Sequence, residues 1–205
     1  MQRTMDRPDI ANLPTVVSDK TSFGWWGMVG LIVTEAMVFG ALLASYFYLR
    51  YRHGIEWPPD GIEDPHLPMV LIMTAILWSS SIPMHIADKG IQKGKQSALR
   101  FGLLATLVLG SVFLMLMVVV EYPEVLAEFT PRTNSYGSLF FTITGLHGLH
   151  VFVGLLLITW ATARGFAGHF DEHRHLTVRN IAMYWHFVDI VWVFVLATVY
   201  LSPQL

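Results

Sequence analysis

The sequence predicts an all-α fold, an integral membrane bundle of five transmembrane helices. Three observations predict it. Of the 205 residues, 54% are hydrophobic and only 14% are charged; the apolar residues form five long segments; and the connections between them are rich in proline, glycine and charge. Ordinary soluble domains carry about 25% charged residues, so this chain is too apolar for that class.

Each apolar segment approaches or exceeds the roughly 20 residues that an α-helix needs to cross a hydrocarbon core of about 30 Å. The predicted helices cover about 24–49, 67–87, 98–121, 136–163 and 179–201. We predict interhelical loops over 51–66 and 122–135, because both contain prolines and other turn-forming residues. Residues 1–22 form a predicted N-terminal arm without the apolar core of a signal peptide, and residues 23–205 form the transmembrane domain.

The basic residues predict the orientation. Ten of the 13 lysines and arginines fall on the N-terminal arm and on the second and fourth connections, whereas only Arg50, Arg52 and Arg132 fall on the opposite side. By the positive-inside rule, the N-terminus is expected in the cytoplasm and the C-terminus outside. This arrangement requires an odd number of spans, as five helices provide.

Composition also limits the chemistry. The net charge of −2 gives no indication of the broad basic face that neutralises phosphates, so no nucleic-acid partner is expected. The absence of cysteine excludes disulfides, iron–sulfur clusters and thiolate copper sites.

Glu35 is an ionisable residue near the middle of the first predicted helix. A charge at the bilayer centre costs roughly 2.5–3.5 kcal/mol on insertion scales. Glu35 therefore predicts a proton relay, a contact with lipid or a partner, half of a metal site, or a protonated carboxyl bonded to a neighbouring helix. In the same helix, Gly24, Gly27 and Gly30 recur every third residue and predict a face where another backbone approaches closely.

The fourth helix carries His147 and His150 at i, i+3, interleaved with Gly145 and Gly148. This spacing is compatible with a metal or haem site, which would have to recruit acidic ligands such as Glu35, Glu121 or Asp189. The glycines favour another interpretation. Small residues let a helix approach its neighbour closely enough for an imidazole to form a hydrogen bond across the interface.

The last helix contains His186 and Asp189 one turn apart in an apolar span. Neither side chain is expected to face lipid, so both should point into the bundle and find polar partners. We predict that they hold the last helix to its neighbours, with Glu121, His147 and His150 as the candidate partners of this polar network.

The fourth connection holds His169, His173 and His175 beside Asp171 and Glu172 on the predicted cytoplasmic face. Histidine exchanges protons near neutral pH, so these side chains form a candidate proton-collecting surface. The alternative is a solvated polar loop with no special role.

Five motifs, in this order, closely resemble cytochrome c oxidase subunit III, and the resemblance covers nearly the whole chain after the first twenty residues. The last two are the most specific. The motifs are Trp57-Pro-Pro-Asp-Gly-Ile62, Glu121-Tyr122, Tyr136-Gly-Ser138, Gly145-Leu-His-Gly-Leu-His-Val151 and Tyr184-Trp-His-Phe-Val-Asp-Ile-Val-Trp192. Because the first two helices of the seven-helix form are missing, the chain resembles the short five-helix bacterial type.

The resemblance implies a non-catalytic accessory subunit of a haem-copper terminal oxidase, which couples aerobic oxygen reduction to proton pumping. It implies subunits I and II as partners, subunit IV as a further candidate, and a multi-pass location in the bacterial inner (plasma) membrane. Haem and copper are expected in those partners, whereas this chain is expected to hold no metal, catalytic residue or cofactor. Bound phospholipid is expected, and Glu35 and Arg164 match family positions related to lipid or protons.

A small membrane transporter or proton channel using Glu35 is the alternative function. Transporters usually show paired repeats and broken helices at a midplane site, which this sequence does not indicate. A self-sufficient intramembrane metalloenzyme would need a denser constellation such as His-Glu-x-x-His, which is absent from the sequence.

Overall fold

The structure, a computed structural model, describes residues 22–53, 57–59, 62 and 67–204. Every regular element in these ranges is helical, and five helical spans are long and apolar enough to cross a membrane. The predicted all-α, five-helix architecture is therefore confirmed. Residues 1–21, which make up almost all of the predicted N-terminal arm, lie outside the described residues.

Six α-helices, two π-helical turns and the short 3₁₀ turn Ser202–Gln204 build the five spans. The α-helices are α1 (Phe23–His53), α2 (Leu67–Ile91), α3 (Gln96–Leu116), α4 (Tyr122–Glu128), α5 (Ser135–Phe166) and α6 (Leu176–Val195). A π-helical turn, Met117–Glu121, joins α3 to α4, and a second one, Leu196–Leu201, continues α6. Four predicted helices agree with the observed spans to within four residues at each end.

The prediction for the third span is wrong at its C-terminal end, because the helix continues to Glu128 through the predicted loop. A proline in a regular α-helix removes one hydrogen bond and clashes with the carbonyl of residue i−4. Here the π-helical turn Met117–Glu121 interrupts the regular spacing just before Pro123, which lies in the first turn of α4. A missing N–H is tolerated at that position, so the helix passes the proline.

Helices α2 and α3 form a closely packed hairpin. A Cβ on Gly102 would lie 2.4 Å from the Pro83 carbonyl oxygen, so only glycine permits this approach. At the turn, Gly94 adopts a φ of +69°, a conformation that favours glycine. The hairpin supplies one wall of the bundle.

Helix α6 lies at the centre and contacts α1, α2 and α5. Its residues Trp185 and Trp192 are fully buried. The Trp185 ring fits between two glycines, because a Cβ would lie 2.6 Å from the ring at Gly110 and 2.9 Å from it at Gly154. The core thus contains two large side chains, and one of them, Trp185, is matched by glycines on α3 and α5.

Helix α1 is the least buried of the five spans. It packs through Phe39 and Tyr46, and Asn180 Nδ2 of α6 donates to the Gly24 carbonyl at 3.0 Å. The predicted close approach along the glycine face is found at Gly24, where an added Cβ would lie 3.1 Å from Leu176 Cδ2. It is wrong for Gly27 and Gly30, since an added Cβ there would meet nothing within 4 Å among the described residues. The larger side chains of α1 make its contacts, so those two glycines point away from the described bundle.

Candidate functional site

Glu35 of α1 and His150 of α5 form a pair inside the membrane span. His150 Nε2 lies 3.1 Å from Glu35 Oε2, and the two side chains are 11% and 30% exposed, respectively. The other ring nitrogen of His150, Nδ1, lies 2.7 Å from the carbonyl oxygen of Leu146. Both nitrogens of the imidazole are therefore engaged.

These contacts limit where protons can sit. A carbonyl only accepts, so His150 Nδ1 carries a proton and donates it to Leu146. Nε2 then accepts from a protonated Glu35 when the imidazole is neutral, or donates to a Glu35 carboxylate when the imidazole is charged. In both cases Glu35 bonds to a side chain of a neighbouring helix, one of the contacts that the sequence left open.

The Glu35–His150 pair opens onto a cavity of about 360 Å³ between α1, α5 and α6. Tyr184 of α6 closes one side, where its hydroxyl donates to the His150 carbonyl at 3.2 Å. The remaining lining is apolar and comprises Leu31, Leu146, Leu149 and Val153. The cavity can hold a hydrocarbon chain next to one polar pair.

Arg164 lies in the last turn of α5. Its guanidinium lies over the Trp160 ring, 5.1 Å from the centroid, a cation–π arrangement. Arg164, Trp160, Val153 and Leu149 are spaced by whole helical turns, so they follow one stripe of α5. The stripe connects Arg164 at the end of the helix with the Glu35–His150 cavity.

A second polar cluster joins α2 to α6. The Ser81 hydroxyl lies 3.0 Å from His186 Nδ1 and donates to Asp189 Oδ2. Asp189 is buried and His186 is half-buried. The prediction that Glu121, His147 and His150 are the partners of His186 and Asp189 is wrong.

Ser81 is a site residue that the sequence predictions do not include. The detectable signal was the run Ser79-Ser80-Ser81 in the middle of an apolar span, where consecutive hydroxyls indicate bonds to backbone or to other helices. Ser79 bonds to the carbonyl of Ile76, a residue of its own helix, whereas the Ser80 hydroxyl accepts from Trp185 Nε1 at 2.9 Å. Only the fold distinguishes the three serines.

His147 has a different environment from the one predicted. It is fully buried, and neither ring nitrogen forms a hydrogen bond with a described residue. Its ring packs on Trp192 at 4.8 Å between centroids and meets Phe113 at 6.1 Å. The predicted interhelical hydrogen bond of His147 is therefore wrong, because the imidazole packs against aromatic rings instead.

Glu121 lies in the first π-helical turn and is 2% exposed. It forms a hydrogen bond with Tyr200, which belongs to the second π-helical turn. Next to it in sequence, the Tyr122 hydroxyl donates to Thr144 Oγ1 at 3.2 Å. Glu121 thus joins α3 to the end of the last span, apart from the Ser81 cluster.

The loop between α5 and α6 divides the three predicted surface histidines. His169 and His173 are exposed, but His175 is only 8% exposed at the start of α6. The prediction of a proton-collecting surface formed by all three histidines is therefore wrong, because His175 is buried where α6 begins. The loop is shaped by Asp171, whose Oδ1 accepts from the backbone N–H groups of His173 and Arg174 at 2.8 Å each.

The predicted polar residues therefore fall into separate clusters. Within residues 22–53, 57–59, 62 and 67–204, no group of three histidine, aspartate or glutamate side chains converges in a geometry that could hold a metal ion. The two intramembrane clusters with ionisable pairs are Glu35–His150, beside an apolar cavity, and Ser81–His186–Asp189, between α2 and α6.

Comparisons with known proteins point to one family. The family Cytochrome c oxidase subunit III matches residues 15–203. The chain is 34% identical over 207 residues to the cytochrome c oxidase subunit 3 of Thermostichus vulcanus, covering 100% of both proteins. It is 34% identical over 180 residues to that of Drosophila melanogaster, covering 85% of this chain and 68% of the relative. The corresponding protein of Arabidopsis thaliana is 36% identical over 182 residues, covering 85% and 67%, respectively.

Proposed function

Because this chain belongs to the cytochrome c oxidase subunit III family and is thus an accessory subunit of a haem-copper oxidase, we propose that it binds the catalytic subunits I and II of a bacterial plasma-membrane oxidase. The observation that carries this proposal is that the family match extends over nearly the whole chain and not over a single motif. Haem and copper then belong to the partner subunits. A subunit IV is a further candidate neighbour.

The orientation that we propose follows from charge. In the described bundle, one end gathers the end of α2, the start of α3, the end of α5 and the start of α6. Basic residues at this end are Lys89, Lys93, Lys95, Arg100, Arg164, Arg174 and Arg179. By the positive-inside rule this end faces the cytoplasm, and the arm 1–22 is placed on the same side.

We propose that the stripe along α5 binds one phospholipid. Arg164 offers a bidentate guanidinium to the lipid phosphate at the membrane interface. From Arg164 to Val153 the helix rises about 16 Å at 1.5 Å per residue. This distance is about half of the ~30 Å hydrocarbon core, so an acyl chain would reach the apolar cavity beside Glu35 and His150. The cavity lining supports this assignment.

The exposed loop histidines support a smaller proposal. We assign proton collection for an uptake route in a partner subunit to His169 and His173, which are exposed. Replacing both with glutamine should slow proton uptake at alkaline pH. Unchanged uptake would leave the loop as a solvated connection.

Native mass spectrometry of the complex, extracted in mild detergent through a tag on this chain, tests the oxidase assignment. One spectrum reports the partner subunits, the haem mass and the retained lipid. One copy each of larger haem- and copper-bearing subunits is the expected result. A homo-oligomer without haem would contradict the assignment and favour the alternative transporter that uses Glu35.

A further inference from the structure

Three side chains from two helices form a continuous hydrogen-bonded chain inside the bundle. Ser81 of α2 lies between His186 and Asp189 of α6, with Oγ 3.0 Å from His186 Nδ1 and bonded to Asp189 Oδ2. The second carboxyl oxygen, Asp189 Oδ1, is buried and has no hydrogen-bond partner among the described residues. A permanent anion with a single hydrogen bond is costly in such a setting, so the carboxyl is placed to take up a proton.

We propose that Ser81 relays a proton between His186 and Asp189, which makes this cluster a proton-binding site within the bundle. The hydroxyl has one proton to donate and lone pairs to accept with. It can therefore donate to either neighbour while it accepts from the other. Both arrangements keep the three side chains hydrogen-bonded.

The transfer can be written with every proton accounted for. With Asp189 ionised, His186 Nδ1–H donates to Ser81 Oγ, and the Ser81 O–H donates to Asp189 Oδ2. When a proton arrives at His186 Nε2, the Nδ1–H bond breaks and a new O–H bond forms on Ser81. The original Ser81 O–H bond breaks, and its proton binds to Asp189 Oδ2. The cluster then contains a neutral imidazole and a neutral carboxyl.

The groups around the cluster indicate from which side the proton enters. On α2, His85 is exposed one turn beyond Ser81, and both His85 and Asp88 interact electrostatically with the half-buried His186. His85 and Asp88 lie toward the end of α2 at which the basic residues gather. In this proposal the proton therefore enters the cluster from that end.

On the opposite side of α6, the titratable groups of the other helices contact residues outside the Ser81–His186–Asp189 cluster. His147 of α5 packs on Trp192. His150 pairs with Glu35 of α1, and Tyr184 donates to the His150 carbonyl. Among the described residues, Asp189 Oδ1 has no onward hydrogen-bond partner, so the proposed relay ends at this carboxyl.

A purely structural role does not require these residue types. Trp185 bonds to Ser80 and Trp192 bonds to Thr74, so two hydrogen bonds without ionisable groups already join α6 to α2. An additional ionisable pair adds desolvation cost without being needed to hold these helices together. Proton exchange accounts for the presence of both His186 and Asp189.

Infrared spectroscopy of the intact membrane-embedded complex tests the relay. The probe is the carbonyl stretch of a protonated Asp189, assigned by its loss in Asp189→Asn, and the measurement is its shift after transfer to heavy water. If Asp189→Asn does not assemble, Asp189→Glu assigns the band by moving it. Ser81→Val and Ser81→Thr are a matched pair, since the two side chains have the same shape and only threonine keeps the hydroxyl.

We expect Ser81→Val to slow the shift roughly 100-fold, the lower end of what a positioned proton-transfer group contributes, and Ser81→Thr to restore most of the rate. Equal rates in the two variants would overturn the relay. The absence of an Asp189 carboxyl band at every pH across the neutral range would overturn it as well. Co-purification with haem-bearing subunits is read separately, so failure of the oxidase assignment is distinguishable from failure of the relay.

Discussion

The indole N–H of Trp192 donates a hydrogen bond of 2.9 Å to Thr74 Oγ1 and thereby joins the C-terminal part of α6 to α2 at a site where both side chains are buried. Trp185 makes the equivalent bond to Ser80 two turns earlier in α6. Helix α6 is thus held to α2 by paired donors and acceptors as well as by packing. The position of α6 therefore determines where its polar side chains, including His186 and Asp189, lie in the bundle.

Thr74→Val should destabilise the bundle, because it keeps the shape of the side chain but leaves the buried indole N–H of Trp192 without a partner. Interhelical hydrogen bonds in a membrane protein average about 0.6 kcal/mol, with a maximum near 1.7. We expect a loss of that size in the free energy of unfolding, measured by titrating the purified complex with a denaturing detergent. Thr34→Val is the control, since Thr34 is exposed and bonds within its own helix; an equal loss in both variants would contradict the assignment.

Gly110→Ala should disrupt the packing of Trp185. The added Cβ would lie 2.6 Å from the indole ring, and Gly154 and Ser80 hold the ring on its other sides. Overpacking of this kind costs about 1–3 kcal/mol, so the melting temperature of the complex should fall. The matched variant, Gly27→Ala, adds the same methyl group where no described atom lies within 4 Å. Loss of stability in Gly27→Ala alone would instead place a partner subunit against α1.

Arg164→Ala should reduce the amount of phospholipid that remains bound to the complex, because it removes the guanidinium proposed to hold the phosphate. Arg164→Lys keeps the charge but loses the bidentate geometry, so an intermediate result is expected. The measurement is the mass of retained lipid by native mass spectrometry. Arg132→Ala, on the loop between α4 and α5, serves as the control for loss of one surface arginine; the proposal fails if both alanine variants retain lipid equally.

The turn at Asp171 should weaken at low pH. Hydrogen bonds from the backbone N–H groups of His173 and Arg174 lower the pKa of Asp171 below its ordinary value. A lowered folded-state pKa stabilises the turn above the unfolded value of about 3.9, and this stabilisation is lost as the pH falls through the folded-state pKa. Hydrogen-exchange protection of these two amides, corrected for intrinsic rates, should decrease over that range.

Asp171→Asn is the control for this turn. Its side-chain oxygen still accepts the two hydrogen bonds but does not titrate. Protection in the variant should therefore stay constant across the same pH range. A parallel decrease in both proteins would show that another group controls the loop.

For the polar residues in the membrane spans, the sequence predicts which side chains need a partner but not which residue that partner is. Glu35 and Asp189 are detectable from the sequence, since an acid within an apolar span requires a partner or a proton. The identity of the partner is not detectable, because His150 is 115 residues from Glu35 and Ser81 is 108 residues from Asp189. The run Ser79-Ser80-Ser81 indicates polar contacts in this span, but the sequence does not show which of the three hydroxyls reaches α6.

The sequence by itself determined the number of spans, their approximate ends and the family, because hydropathy over some 20 residues and short motifs are local properties. Only the tertiary structure decided which helix faces meet. Gly102 and Gly110 lie at close contacts, whereas an added Cβ at Gly27 or Gly30 would meet no described residue within 4 Å, although all four are glycines within apolar helices. The difference arises because helix packing depends on the complementary shapes of side chains from distant parts of the chain. The same dependence brought Ser81 to His186 and Asp189 and left His147 among aromatic rings.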